Sequence, residues 1–347
     1  MPRQFIDVSG FKIGGDKTYL IADVGSNHKQ DLVLAKESID AAAEAGANAV
    51  KFQSIDLDGL YTKPDAQTVD FIRKLEFPEE WHGILSEYSR KKGVMFFSSP
   101  TYMKAVDLLE EIDVPIYKLA SAQVGTFPQI VERVAALKKP TILSTGIADY
   151  EEVTKAIRIF EQAGNDRYII LHCNSIYPAP ANRVNMPLMD TYRAMFNCPV
   201  GFSDHTNGIH VAIAAVARGA KVIEKHFTLD KNFDTPDSTS FAADPAEFNQ
   251  LVQQIREVEA ALTRLEPRLS IQSEEKEFKD AILYRARLKK DIKQGEEVKY
   301  EDLDYSRYKE GVDCRFIYAN RNIGQAKVNL NAGTILMHEH LQKDQIK

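Results

Sequence analysis

The sequence predicts a (β/α)₈ TIM barrel of the α/β class with a small β-rich domain behind it. Three observations predict this. Short apolar runs alternate with helix-period segments eight times between residues 17 and 266. Nearly every run ends in polar side chains, as barrel strands do at their carboxyl ends. No glycine-rich phosphate fingerprint follows the first run, which disfavours a doubly wound open sheet.

Residues 1–16 hold two apolar runs, Phe5-Ile6-Asp7-Val8 and Phe11-Lys12-Ile13, split by Ser9-Gly10, which reads as a hairpin. Tyr19 to Val24 is the first buried strand. Asp31 caps the next helix, whose apolar positions Leu32, Ala35, Ile39 and Ala42 recur at spacings of three and four, and Gly46 stops it. Asn48 to Gln53 is the second strand. A long loop, 54–77, follows, with Tyr61, Lys63 and Asp65; loops of that length at strand ends are often functional.

Val94 to Ser98, Pro115 to Leu119, Pro140 to Ser144 and Tyr168 to Cys173 are strands three to six, each followed by a helix; a Pro-rich loop, 174–184, precedes the last of these helices. Strands seven and eight lead into Gly201-Phe202-Ser203-Asp204-His205-Thr206 and Glu224-Lys225-His226-Phe227-Thr228, with a helical segment from Gly208 to Gly219 between them. Pro245 to Leu265 is the final barrel helix. Residues 267–283 read as a charged linker. In 284–347 two basic, alternating segments, 286–296 and 324–334, echo each other, each with a turn glycine near its end. That small domain has little core of its own.

With 347 residues and 44% hydrophobic content the chain can build one large core and a second small one. A net charge of −6 without a basic run argues against nucleic-acid binding. Three cysteines without metal-type spacing point to a reducing compartment. No signal-peptide core and no membrane-length apolar run is present, so a cytoplasmic protein is expected.

The strand ends carry the chemistry. Side chains two apart on a strand share a face, so Ser203 with His205, and Glu224 with His226, each point one way. Two imidazoles on neighbouring strands can hold a divalent ion. Lys225 alternates away from His226 and should point outward or into the loop. Asp23, Lys51, Gln53, Ser99, Lys118, Ser121, Ser144 and Ser175 end the other strands. Two ammonium groups with several hydroxyls suit a phosphate, and a carboxylate beside them can move a proton. This set suits carbon–carbon bond formation between a phosphorylated three-carbon unit and an aldehyde. A lysine Schiff-base aldolase on the same barrel, with Lys118 or Lys51 as nucleophile, is the competing enzyme. A non-catalytic binding protein is a third reading. Taken singly, a Lys or Ser at a strand end is better explained by ordinary solvation at a loop. His172 and Cys173 read as packing or as support behind the site's lining, His210 as structural, and His28 as either.

Several stretches resemble the sialic acid synthase family, which includes legionaminate and pseudaminate synthases. They are Ile21-Ala22-Asp23-Val24-Gly25-Ser26-Asn27-His28, Val50-Lys51-Phe52-Gln53, Lys118-Leu119-Ala120-Ser121, Leu143-Ser144-Thr145-Gly146, and Leu171 to Pro178. The two histidine turns belong to the same set. Residues 284–347 are similar to that family's antifreeze-like (SAF) domain. The resemblance implies condensation of phosphoenolpyruvate with the open-chain aldehyde of an N-acetylated hexosamine, first N-acetylmannosamine. It implies Mn²⁺ or Mg²⁺ on His205 and His226. It places phosphoenolpyruvate on Lys51, Ser99, Lys118, Ser121, Ser144, Ser175, Tyr177 and Ser203. The amino sugar falls to Asp23, Gln53, Tyr177, Asp237 and Arg307, with Asp23 and Asp237 also catalytic. Arg307 is expected to act across a domain-swapped homodimer. Asp23 stands where sialic acid synthases usually carry Glu, a carboxylate shorter in reach by about 1.5 Å, and the usual Pro-Gly after Arg307 is Tyr308-Lys309 here.

Overall fold

Eight of the apolar runs form one parallel sheet in the structure, a computed structural model that describes residues 4–238, 240–263, 271–321 and 323–342. The chain divides into two compact units, Met1–Thr263 and Arg264–Lys347. The predicted end of the barrel and start of the linker, 264–270, lie outside the described residues, as do 1–3 and 343–347.

In the first unit a hairpin of β1 (Ile6–Val8) and β2 (Phe11–Ile13) precedes the barrel strands. These are β3 (Tyr19–Gly25), β4 (Ala49–Ser54), β5 (Met95–Pro100), β6 (Tyr117–Leu119), β7 (Thr141–Ser144), β8 (Tyr168–His172), β9 (Val200–Asp204) and β10 (Val222–His226). Their order is β5-β4-β3-β10-β9-β8-β7-β6, and β5 lies against β6, so the sheet is nearly closed as a barrel. All seven residues of β3 are buried. Burial on both faces is what a near-continuous apolar run in a parallel sheet reflects.

Alternation along the strands sorts the side chains into layers. Outward residues such as Leu20, Ala22, Val50 and Phe52 pack with helix residues such as Ala35, Ile39 and Ala42. Inward residues at the strand starts, Tyr19, Ile21, Ala49, Phe97, Ile142, Ile169, Leu171 and Val222, form a separate apolar cluster. Ile6, Val8 and Ile13 of the hairpin belong to that cluster, so the hairpin plugs the amino-terminal floor. Gly201 sits in this interior because a Cβ there would meet the Val222 carbonyl oxygen at 2.4 Å. The inward positions above the floor are polar, and they make the site.

Local signals set the helix ends. Asp31 accepts from Val33 N at 2.8 Å and starts the helix Leu32–Glu44. Asp244 and Glu247 form a capping box on Pro245–Leu262. Loop 54–77 is more ordered than its pattern indicates: Asp56 and Asp65 cap two short helices, Leu57–Leu60 and Ala66–Arg73. After β6 the chain makes two helices rather than one, Ser121–Thr126 and Pro128–Ala136, the second opened by a proline that has no N–H to lose. Among the described residues no helix is long and apolar enough to cross a membrane.

The second unit has its own core, including Ala286, Leu288, Ile292, Val312, Ile317, Leu330 and Leu336. β11 (Tyr284–Leu288) pairs antiparallel with β12 (Leu303–Arg307). The two echoing segments pair with each other, Ile292 and Leu330 exchanging both backbone hydrogen bonds at 2.8 Å. A helix, Cys314–Asn320, started by Asp313, stands among the strands of this unit, where a β-rich domain with short turns was expected. The predicted linker contributes a helix, Ser273–Ala281.

Candidate active site

The carboxyl ends of the barrel strands surround a cavity of about 100 Å³. Twelve of the residues singled out in the sequence line it: Asp23, Lys51, Gln53, Ser99, Lys118, Ser121, Ser144, Tyr177, Ser203, His205, His226 and Asp237. Ser175 stands just behind, its Oγ 3.3 Å from Ser121 Oγ. Arg307 is in the second unit, exposed at the end of β12, with its guanidinium over the Tyr284 ring. Tyr61 does not line the cavity.

Glu224 organises the cationic side, a role the sequence did not reveal. Its carboxylate takes Lys118 Nζ at 3.0 and 3.1 Å and Ser203 Oγ at 2.8 Å, and lies 4.0 Å from Lys51 Nζ. Lys51 Nζ is also 2.8 Å from Asp23 Oδ1. All four charged side chains are nearly inaccessible, so each depends on the others for compensation. Burial alone would raise the Glu224 pKa, but Lys118 and Lys51 overcome that and hold it at about 2. Burial would lower the Lys51 pKa, and the Asp23 and Glu224 charges turn the shift upward. Two fixed ammonium groups and the hydroxyls of Ser99, Ser121, Ser144 and Ser203 then face the same space. Ser99 Oγ and Ser144 Oγ are buried without a partner, as expected of groups kept for a ligand.

The imidazoles come from the same two strand ends, His205 two residues past Ser203 and His226 two past Glu224. The His205 and His226 rings are 5.2 Å apart between centroids. His205 Nδ1 is 2.5 Å from the Asn174 carbonyl oxygen, which places its proton there and leaves Nε2 as a lone-pair donor. Burial and then the neighbouring His226 push the His205 pKa down to about 3, so the ring is neutral. His226 Nδ1 has no hydrogen-bond partner; Asp237 Oδ1 lies 3.4 Å from it, and Asp23 Oδ2 is 3.6 Å from His226 Nε2. A buried, neutral His205 ring whose Nε2 has only the Ser203 hydroxyl nearby, at 3.4 Å, together with the His226 ring, fits a divalent ion. Among the described residues no group of three or more His, Cys, Asp and Glu is arranged to hold one, so the protein's own share would be the two histidines. Tyr177 lies 4.3 Å from the His205 ring, and Phe241, which no motif marks, 5.0 Å from that of His226.

Asp237 arrives on a loop latched to the end of β3. Ser26 N and Oγ donate to Asp237 Oδ2 at 2.9 and 2.6 Å, and Asn27 Nδ2 donates to the Asp237 carbonyl. Gly25, at φ +53°, permits this approach: a Cβ there would come within 2.6 Å of Asp237 Oδ2. Burial opposes the Asp237 charge, but His226 and the Ser26 donors win and lower its pKa.

The remaining candidates separate. His172 Nε2 meets the Val184 carbonyl oxygen at 2.7 Å and is packing, as expected, whereas Cys173 lines the cavity. His28 is structural, packed at the edge of Phe77 and Trp81. Lys225 corrects the sequence reading. It does point away from the cavity, but it is buried under the helical layer and paired with Asp204 at 3.0 Å.

Comparison with known proteins agrees with the motifs. The NeuB family model matches residues 38–266. The chain is 40% identical to an uncharacterised protein of Methanocaldococcus jannaschii, over 90% of this chain and 92% of that one. It is 39% identical to the N,N'-diacetyllegionaminic acid synthase of Campylobacter jejuni, over 81% of this chain and 87% of that one. The crystal structure of an N-acetylneuraminic acid synthetase from Leptospira borgpetersenii superposes with a TM-score of 0.73 at 34% identity, covering 80% of this chain and 95% of that one. By sequence and by fold, this chain is an enzyme of the NeuB family, the family of the sialic acid synthases.

Proposed function

We propose that this enzyme joins phosphoenolpyruvate to the open-chain aldehyde of an N-acetylated hexosamine, releasing inorganic phosphate and a nine-carbon 2-keto acid. One observation carries the reading. Two lysines share Glu224, and two imidazoles follow Ser203 and Glu224 on the same strand ends, all lining one small cavity.

Lys51 and Lys118 supply charge to the phosphate and carboxylate of the enol ester, and Ser99, Ser121, Ser144, Ser175 and Ser203 supply directed hydrogen bonds. The substrate's C3 forms the new bond to the aldehyde carbon. Water adds at C2, and the C2–O bond breaks with phosphate as leaving group. The proton of that water needs a base, and Asp23 and Asp237 are the two carboxylates beside the imidazoles. A divalent ion, Mn²⁺ or Mg²⁺, would be held by His205 and His226 and would polarise the aldehyde oxygen. Gln53, Tyr177 and Asp237 face the sugar.

N-Acetylmannosamine, giving N-acetylneuraminate, is the first reading, in line with the Leptospira structure. The second is a 2,4-diacetamido-trideoxyhexose, giving legionaminate or pseudaminate. The Campylobacter relative favours it, and so does Asp23, whose shorter side chain leaves more room beside the sugar than a Glu. Phosphate release with a panel of both sugar classes decides between them; release with neither sugar class contradicts the proposal.

The site is completed in this reading by a second copy. Ile147, Ile176 and Tyr177, on loops after β7 and β8, and Tyr150, at the start of the helix after β7, are all more than 40% exposed, an apolar rim suited to cover. Arg307, exposed and without an ion pair among the described residues, is the side chain the partner's second unit would bring.

A further inference from the structure

Lys225 and Asp204 form the least accessible ion pair described in the molecule, with side chains 1% and 0% exposed. They touch no substrate position. Lys225 Nζ lies 3.0 Å from Asp204 Oδ2 and donates to the Thr206 carbonyl oxygen at 2.6 Å. Asp204 Oδ1 accepts from Thr206 N at 2.9 Å. The pair therefore closes a ring of hydrogen bonds around the turn that follows β9, and it anchors that ring to β10.

The register says what this does. Lys225 is the ladder partner of Asp204, and Glu224 that of Ser203. Side chains alternate along a strand. The residues flanking Asp204 are Ser203 and His205, those flanking Lys225 are Glu224 and His226, and all four line the cavity. One outward pair thus fixes the relation between two inward ones. His205 has other tethers, its Nδ1 on the Asn174 carbonyl and its own carbonyl accepting from Ala179 N at 2.8 Å, but neither runs to β10; Ser203 Oγ on Glu224 does join the two strands, one residue below the turn. A buried ion pair is weak evidence of a stabilising role, because replacing one with apolar side chains of similar volume is often neutral or stabilising.

We propose that Lys225 and Asp204 are positioning residues that set the separation of His205 and His226, and with it the affinity for a divalent ion. The inference rests on the synthase reading in taking the two imidazoles as a working pair.

Two paired variants of the full chain test it. Asp204→Leu with Lys225→Met removes both charges and every hydrogen bond to Thr206. Asp204→Asn with Lys225→Gln keeps an acceptor for the Thr206 N–H but falls one atom short of the Thr206 carbonyl. The thermal midpoint and the affinity for Mn²⁺ alone, from the paramagnetic signal of the free ion, are measured for each. The apolar pair is expected to melt near the wild type and to bind Mn²⁺ about 10- to 100-fold more weakly. The amide pair is expected to recover part of that loss while staying weaker than wild type. A folded apolar pair within about twofold of wild-type affinity overturns the proposal. If the apolar pair does not fold, the amide pair decides by the same limit. A wild type that binds no Mn²⁺ refutes the metal reading instead. Positioning is then judged from variant crystals: a ring separation unchanged from 5.2 Å overturns it, and a shift of about 1 Å supports it.

Discussion

Ser203 Oγ donates to Glu224 Oε1 at 2.8 Å across the β9–β10 ladder, and the same carboxylate oxygen takes Lys118 Nζ at 3.0 Å. One side chain thus sets a hydroxyl and an ammonium that come from sequence positions 85 residues apart (203 − 118). Glu224→Gln keeps the shape and removes the charge. It should reduce kcat for phosphate release about 100-fold through misplaced cations. It should also destabilise the free protein by about 3 kcal/mol, by leaving Lys118 without its counter-charge. Inorganic phosphate should protect this variant against heat more than it protects wild type, because the anion then meets uncompensated lysines. Equal protection in both would show that Glu224 does not govern the anion site.

The aldolase alternative makes an opposite demand. A Schiff base needs a deprotonated lysine, yet both ammonium groups are engaged by carboxylates, and the shift on Lys51 favours its charged form. Borohydride with pyruvate should leave no adduct on Lys51 or Lys118 by mass spectrometry. A trapped adduct on either lysine would move the protein to the aldolase class.

His28 should make the fold acid-sensitive. Its Nδ1 accepts from Gln30 N at 3.0 Å, and its Nε2 has no partner. Burial lowers its pKa from 6.5 to about 4, with Asp237 opposing. A folded-state value below the unfolded one means the neutral form is favoured by folding. That contribution is complete above pH 6.5 and is lost as pH falls towards 4, on the order of 3 kcal/mol. The thermal midpoint should drop over that window, and the His28→Asn variant should show a flatter profile. An equally steep profile in the variant would place the acid sensitivity elsewhere.

The floor and the mouth of the barrel should separate experimentally. Ile13 is fully buried in the apolar floor cluster. Ile13→Ala should cost about 3 kcal/mol in chemical denaturation, while leaving the KM for phosphoenolpyruvate within about twofold. A large KM change would mean that the floor reaches the site.

If the partner's second unit completes the site, two inactive variants should rescue each other. His226→Ala disables a barrel and Arg307→Ala disables a tail, so mixed dimers would carry one intact site. Activity should appear on refolding the two together. No recovery, from variants shown to form mixed dimers, would argue for a site complete within one copy.

Most of the site was legible because the barrel puts strand ends in one place and alternation says which side chains face in. That logic placed Lys51, Ser144, Ser203, His205 and His226 without coordinates. It placed Glu224 inward too, but not its function, which depends on a lysine four strands away around the barrel. Alternation also turned Lys225 outward correctly. It could not show that helices cover that face, so a lysine expected near solvent is buried against Asp204. Phe241 went unmarked because it sits on an irregular loop with no period to read. The two helices in loop 54–77 are four and eight residues long, too short to show a stripe, although their capping Asp56 and Asp65 were visible signals. Arg307 was reached through resemblance alone, since nothing in an exposed strand end points to a sugar.

Phosphate release by protein stripped with a chelator, supplied with phosphoenolpyruvate and each candidate amino sugar, addresses the paired imidazoles at their root. No phosphate should appear until Mn²⁺ or Mg²⁺ is returned, and the His205→Ala, His226→Ala double variant should stay silent at every metal concentration. Release at the full rate under chelation, or from the double variant, would contradict the reading.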